Sequence, residues 1–382
     1  MMKKLLLISA FALTFVFPCR GYTVQPGETQ AAIAVLNNYE KYREPVIKDR
    51  FFKHSDIMPL IKKHAGSGVF RHEAIGTSAQ GRSINHLILG TGKTKVLLWS
   101  QMHGDESTAT MALFDLFNFF AANDEHNELR KYLLDNLELH FVPMLNPDGA
   151  QVWKRRNALD IDVNRDARAQ VTPEGRILLK LAQELKPDFG FNLHDQSMYY
   201  NAGPTDKTAT ISFLAPAFNY EKDMNDVRKR AMQVIVGMNS LLQKHIPGRV
   251  AKYNDDFEPR AFGDNIQRLG VSTILIESGG YPGDPEKQYI RKMNFYALLN
   301  AFEAIADRSY ASEDIRAYEE IPQNHRSLYD LVIRNVETEI GGQTIRTNLC
   351  INRAQLKSAD FRSVSYRGGI EEVGDLELVF GY

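Results

Sequence analysis

Apolar residues open this chain at helical intervals. Ala32, Val35, Leu36 and Tyr39, then Ile57, Leu60 and Ile61, keep the spacing that lines one side of a helix, so residues 28–65 read as helical. The period then shortens. Val69–Ile75 stops at Gly76 and Ser83–Leu89 follows Gly81-Arg82, while Lys95–Ser100 carries the unbroken run Val-Leu-Leu-Trp expected of a strand covered on both faces. A helix is predicted from about Ser107 to Asn123, with Met111, Phe114, Phe117 and Phe120 turned inward. Leu137–Pro143 is another strand, running into the turn Asn146-Pro147-Asp148-Gly149. Pro173–Lys186 reads as a helix halted by Pro187, Asp188–Leu193 as a strand, and Glu221–His245 as a long helix. The β-branched segment Ser272–Glu277 is a strand, and Pro285–Asp307 a closing helix.

Strands that alternate with helices in this way predict an α/β domain over residues 22–310, with a mixed, largely parallel central sheet flanked by helices. The pattern changes near residue 310. Glu319–Asn324 is polar, contains a proline and reads as a linker. Beyond it, Asp330–Glu337, the Gly341-Gly342 turn, Thr344–Asn352 and Leu376–Phe380 predict a small antiparallel β domain over residues 320–382.

Composition sharpens this picture at the N-terminus. Met1–Lys4 is basic and Leu5–Phe17 is an apolar run of thirteen residues, shorter than the roughly 20 a membrane-spanning helix needs. Residues 1–21 therefore read as a signal peptide cleaved after Gly21, which predicts export to the periplasm or the medium and no stable membrane insertion afterwards. Pro18 directly before Cys19 argues against a lipid-modified cysteine. Removing the segment takes away Lys3, Lys4 and Arg20 but no acid, so the formal net charge moves from -1 to -4. A protein of that charge with no basic run is not expected to bind nucleic acid. Cys350 is then the single cysteine and reads as a small buried hydrophobe.

The chemistry gathers at strand ends, where an α/β sheet opens its site. His103-Gly104-Asp105-Glu106 follows the strand ending at Ser100, His194-Asp195 follows the one ending at Leu193, and Glu277-Ser278-Gly279-Gly280 ends the strand from Ser272. The strand ending at Pro143 leads to Lys154-Arg155-Arg156-Asn157 and Asp162-Val163-Asn164-Arg165-Asp166. A histidine and a carboxylate three residues apart, joined by a distant histidine, form the two-nitrogen, one-carboxylate set of hydrolytic zinc sites, which leaves a coordination position free for water.

The stretch Gly76-Thr77-Ser78-Ala79-Gln80-Gly81-Arg82, then Lys95–Glu106, then Asn146-Pro147-Asp148-Gly149, resembles the zinc carboxypeptidase family of the carboxypeptidase A type. Arg155-x-Asn157, Asn164-Arg165, His194 and Glu277 continue the likeness in the family's order, over roughly residues 50–305. The resemblance implies one zinc ion per chain on His103, Glu106 and His194. It implies that Glu277 is the general base for the attacking water, that Arg155 stabilises the oxyanion, and that Asn164 and Arg165 grip the free C-terminal carboxylate of a peptide. The function implied is metallocarboxypeptidase activity. The alternative is a zinc amidohydrolase acting on cell-wall muropeptides or small acyl-amino-acid conjugates, and a free α-carboxylate is common to peptides and muropeptides.

Some positions stay open. Arg155 is preferred over Arg156 because Arg-x-Asn and the nine-residue step to Asn164 match shorter-loop members of the family. Tyr253 is the candidate for the family's mobile tyrosine, with Tyr199, Tyr200 and Tyr281 as competitors. Asp195 is a second carboxylate beside the metal set, read as a residue that orients a ligand. The specificity pocket is expected from the loop between Tyr253 and Gly270, where Asp255, Asp256, Glu258 or Asp264 would suit a basic terminal side chain and Arg260 an acidic one.

Overall fold

A computed structural model describes residues 30–382; the expected signal peptide, with Cys19, lies outside them. Helices α1 (Gln30–Asn37) and α2 (His54–Ala65) precede strands β1 (Arg71–Thr77), β2 (Ser83–Leu89) and β3 (Thr94–Ser100). Then come α3 (Thr108–Ala121), α4 (Asn127–Asn136), β4 (Leu137–Val142), α5 (Pro147–Gln151), α6 (Pro173–Leu185) and β5 (Phe189–Asp195). Two short strands, β6 (Tyr200–Ala202) and β7 (Ile211–Leu214), lead to α7 (Asp226–Leu242), β8 (Val250–Lys252), α8 (Phe262–Arg268), β9 (Ser272–Ser278) and α9 (Gln288–Ala306). The remainder is α10 (Arg316–Glu319), β10 (Asn324–Arg326), β11 (Leu328–Tyr329), β12 (Leu331–Ile340), β13 (Gln343–Lys357), β14 (Val364–Gly374) and β15 (Phe380–Gly381).

The main sheet has eight strands in the order β1-β2-β4-β3-β5-β9-β7-β8. Its centre, β4-β3-β5-β9, is parallel, and β7 pairs with β8 in parallel, while β1–β2, β2–β4 and β9–β7 are antiparallel. The alternation of side chains along β3 explains the layers. Val96 and Leu98 enter a core with residues of α3, α7 and α9, whereas Leu97 and Trp99 enter a second core with Leu178 of α6 and Phe262 and Ile266 of α8. Because β3, β4, β5 and β9 run the same way, their carboxyl ends share one edge, and the residues that follow them meet there.

The structure departs from the sequence expectation in several places. Residues 28–65 are not one helical stretch: the chain leaves α1 at Asn37, makes a single 3-10 turn at Tyr39–Lys41 and re-enters α-helix only at His54, and Tyr39, Tyr42, Ile47, Phe51 and Phe52 fill the core in between. The Asn146–Gly149 turn starts a short helix, with the Asn146 side chain accepting from Gly149 N at 2.9 Å. Glu319–Asn324 is not a free linker, since Lys252 N donates to Pro322 O at 2.7 Å, Gly203 N donates to Gln323 O at 2.9 Å, and β10 pairs antiparallel with β6. In the C-terminal region the antiparallel sheet is β12-β13-β14, and Leu376–Phe380 is not one of its strands; only Phe380–Gly381 pairs, with β11. Cys350 is buried within β13, as expected.

Candidate metal centre

The loop after β3 is shaped by close backbone packing. Gln101 takes a left-handed φ of 50°, and its amide donates to Gly104 O at 2.9 Å, turning the chain sharply out of the strand. Asn146 N donates to Gln101 O at 3.1 Å and the Asn146 side-chain amide to Met102 O at 3.2 Å, tying this loop to the one after β4. A Cβ on Gly104 would lie 2.0 Å from the Gly149 carbonyl carbon, so only glycine lets the two loops cross this tightly. That crossing holds His103 and Glu106 at the sheet edge, and β5 delivers His194 to the same point.

The three side chains converge. His103 Nδ1 is 2.8 Å from Glu106 Oε1, His194 Nδ1 is 2.7 Å from Glu106 Oε2, and the two Nδ1 atoms are 3.1 Å apart. Among the described residues this is the one group of three or more His, Cys, Asp or Glu whose donor atoms come together in this way, and all three residues are buried. Electrostatics shows what the arrangement attracts. Burial opposes a charge on His103, yet Glu106 and Asp162 outweigh it and lift the imidazole to about 9. Burial likewise opposes the charge of Glu106, but both histidines hold its carboxyl well below the ordinary range. Two imidazole nitrogens and a carboxylate this close draw positive charge between them, and with neutral imidazoles a divalent cation provides it. The donor set fits zinc.

Neighbouring groups fix the orientation. His103 Nε2 lies 3.0 Å from Asp162 Oδ1, which fixes the ring and leaves Nδ1 facing the cluster. The sequence reading assigned Asp162 no role; a side chain that caps the Val163–Arg165 turn by accepting from Asn164 N at 2.9 Å is the signal that marks it. Asp195 turns its carboxylate away from the cluster, onto Thr108 Oγ1 at 2.6 Å and Lys287 Nζ at 3.0 Å. It orients Glu106 through its backbone, whose N–H donates to Glu106 Oε2 at 3.2 Å.

Of the adjacent arginines, Arg155 faces the cluster. Its Nη1 is 2.9 Å from Glu106 Oε1, and its Nε and Nη2 are 3.2 and 3.1 Å from Asp162 Oδ2. Arg156 points outward and donates to Asp160 O. Asn164 Oδ1 accepts from Phe262 N at 2.9 Å, and Arg165 reaches Glu258 at 3.5 Å. Glu277 pairs across the sheet with His194 and is buried. Burial, and then the charge of Glu106, push its carboxyl well above the ordinary range. Tyr253 and Tyr200 share one cavity with Glu277 and Arg165, whereas Tyr199 and Tyr281 face another.

The first cavity, of about 340 Å³, contains Asn164, Arg165, Tyr253, Asp264 and Glu277. The second, of about 710 Å³, shares Glu106, Arg155, Asp195, Gln196 and Ser197 with the first.

Comparison with known proteins agrees with this geometry. Residues 62–175 match the sequence model of the zinc carboxypeptidase family. Carboxypeptidase SOL1 of Arabidopsis thaliana is 29% identical over an alignment of 142 positions that covers 31% of this chain and 28% of that protein. Curated relatives are matched over between 26% and 56% of their own length. Among solved structures, the metallo-carboxypeptidase from Burkholderia cenocepacia aligns with a TM-score of 0.53 at 17% identity, covering 67% of this chain and 70% of that one. The carboxypeptidase A from Helicoverpa armigera aligns with a TM-score of 0.55 at 14% identity, covering 74% and 80%. The resemblance read from the motifs is thus borne out: the family's sequence pattern covers His103 through Arg165, and the fold is shared with solved carboxypeptidases over 67–74% of the chain.

Proposed function

We propose that this chain, which carries the zinc carboxypeptidase pattern on that family's fold, is a zinc-dependent metallocarboxypeptidase that removes the C-terminal residue of peptides. The observation that carries the reading is that two of the three clustered metal donors, His103 and Glu106, line one cavity together with Glu277 and Arg165. His103, Glu106 and His194 would hold one zinc ion, which when bound supplies a Lewis acid and lowers the pKa of water to about 7.

The chain's own residues account for the rest. Glu277 is the general base: it accepts a proton from the attacking water and delivers it to the departing amine. With zinc on the three donors, the raised Glu277 carboxyl would shift back toward the ionised form that this needs. Arg155 donates to the scissile carbonyl oxygen as negative charge develops, a contribution typically of about 10²–10³ in rate. Arg165 presents a planar fork to the terminal carboxylate, and Asn164 donates its amide beside it. Tyr253, which lines the same cavity, would close over the terminal residue.

The pocket's charge supports a basic terminal side chain. Glu258 and Asp264 contribute to the cavity wall, as does Asp256, whose carboxylate is paired with Lys222 at 2.8 Å, while Arg260 stays outside it and is paired with Glu258 at 2.7 and 2.9 Å. Asp255 also stays outside, held by Lys222 and Arg228. Export through residues 1–21 belongs to the same reading, and no helix among the described residues is long and apolar enough to cross a membrane.

The test is a matched pair of peptides ending in a free acid or an amide, each carrying C-terminal lysine, leucine or glutamate. The acid is expected to be hydrolysed and the amide spared, with lysine preferred, and a chelator should abolish the activity. Equal cleavage of acid and amide would overturn the carboxypeptidase reading.

A further inference from the structure

The second cavity is walled in part by the C-terminal region. It contains Glu106 and Arg155 of the metal centre together with Gln355 of β13, Tyr366 of β14 and Tyr382. We infer that the sheet β12-β13-β14 is part of the substrate site: it forms the far wall of the subsite that receives the residues preceding the scissile bond. The inference rests on the carboxypeptidase reading and adds the element that holds the other end of the peptide.

Direction comes first. Arg165 and Glu258 belong to the first cavity only, whereas Glu106, Arg155 and Asp195 belong to both. A peptide whose terminal carboxylate lies on Arg165 and whose scissile carbonyl lies at Arg155 has its remaining residues running into the second cavity. Its volume of about 710 Å³ falls in the range of ligand-sized sites and accommodates a few residues.

The wall is held in place. Asp330 accepts from Tyr199 Oη at 2.5 Å and from Arg353 Nε at 2.8 Å, joining the start of β12 to the loop after β5. Arg362 grips Asp56 of α2 through both terminal nitrogens, at 2.5 and 3.1 Å, and Lys357 Nζ donates to Trp153 O. Next to Glu277 the chain makes room for this wall. A Cβ on Gly280 would lie 2.9 Å from Met198 Cβ and 3.1 Å from Tyr382 Oη, so a glycine three residues after Glu277 lets the tyrosine approach.

The chemistry of the lining matches a peptide. Trp153, Tyr281, Tyr366 and Tyr382 bring apolar rings with polar edges, which suit apolar side chains and a peptide backbone together. Tyr366 is 43% exposed, with the Arg353 guanidinium 5.1 Å from its ring centre on one side, so the ring is positioned yet open to a ligand.

The experiment compares kcat/KM for a blocked dipeptide and a tetrapeptide ending in the same residue, using the zinc-loaded full chain and its Tyr366→Ala and Gln355→Ala variants. The wild type should prefer the tetrapeptide. An aromatic contact is worth about 0.5–1.5 kcal/mol, so Tyr366→Ala should reduce that preference roughly three- to tenfold, through KM rather than kcat. Tyr366→Phe should restore most of it, and Gln355→Ala should lower it independently. The inference is overturned if both substrates fall by the same factor, if only kcat changes, or if the wild type shows no preference for length. A wild type that hydrolyses neither peptide would remove the carboxypeptidase reading and this inference with it.

Discussion

At the scale of single residues, the metal cluster separates groups that bind from groups that react. Glu277 is the proposed base and is not one of the proposed ligands, so Glu277→Gln should keep one zinc per chain while kcat falls by about 10²–10⁴. Metal analysis beside steady-state kinetics checks this, and near-normal kcat would assign the base elsewhere. Asp162 is the reverse case. It holds both His103 and Arg155, so Asp162→Ala should weaken zinc affinity by about 10–100-fold, measured by competition with a chelator. Asp264 offers a pH dependence. Burial raises its carboxyl to about 7, so it is mostly neutral below that pH and charged above it. The ratio of kcat/KM for C-terminal lysine over leucine should then rise between about pH 6 and about pH 8, by roughly tenfold for one charged hydrogen bond. Taking the ratio cancels the titration of the catalytic groups, and Asp264→Asn should flatten it. His103, Glu106, His194 and Glu277 were readable from sequence because each sits at the end of a strand with a clear apolar pattern. Asp162 was not, because what it does depends on which side chains fold against it, and Asp264 was legible only as one of several acids in the pocket loop.

At the scale of elements, α2 shows how a buried titratable group couples packing to pH. Its inner face carries Ile57, Leu60, Ile61 and His64, and His64 packs against Phe70, Phe114 and Phe117. Neither ring nitrogen of His64 has a hydrogen-bond partner among the described residues, and burial lowers its pKa from 6.5 to about 4. The folded state therefore favours the neutral ring. Between those two values the unfolded chain binds more protons, so stability present above about pH 6.5 is lost as the pH falls toward about 4, by up to roughly 3 kcal/mol. His64→Leu should raise Tm at acid pH and reduce the slope of Tm against pH in that window; an unchanged slope would mean that the ring stays protonated in the fold. The helical period of α2 was readable, as were β2, β3 and α6. The three-residue strands β6 and β8 and the seven-residue α8, with Gly263 in its first turn, are too short to carry a period. They form through pairing and packing with partners distant in sequence.

At the scale of the whole molecule, the boundary between the α/β body and the C-terminal sheet decides where the chain can be cut. Composition alone places a linker at Glu319–Asn324, because proline and polar residues commonly mark exposed connections. In the fold that segment is stitched to the body: β10 pairs with β6, and Asn324 Nδ2 donates to Gln196 Oε1 at 3.0 Å. Gln196 is two residues past His194, borders both cavities, and its amide donates to Ala209 O at 2.9 Å and Ser212 Oγ at 2.8 Å. Truncation after Ser327 keeps these contacts and removes the wall of the second cavity. Truncation after Glu319 removes both the wall and the partner of Gln196, leaving an oxygen unsatisfied at a cost of about 1–3 kcal/mol, besides the pairing of β10. The longer fragment should bind one zinc per chain and hydrolyse the blocked dipeptide, with its preference for the tetrapeptide lost. The shorter fragment should melt several degrees lower and hold zinc less tightly, because Gln196, two residues past His194, loses its partner Asn324 and β6 loses its paired strand. Zinc stoichiometry, melting temperature and the dipeptide-to-tetrapeptide ratio, measured on both fragments, distinguish the two roles. Equal zinc affinity and stability in the two fragments would show that β10 is as dispensable as a linker; failure of the longer fragment to bind zinc while folded would show that the C-terminal sheet supports the metal centre as well as the substrate.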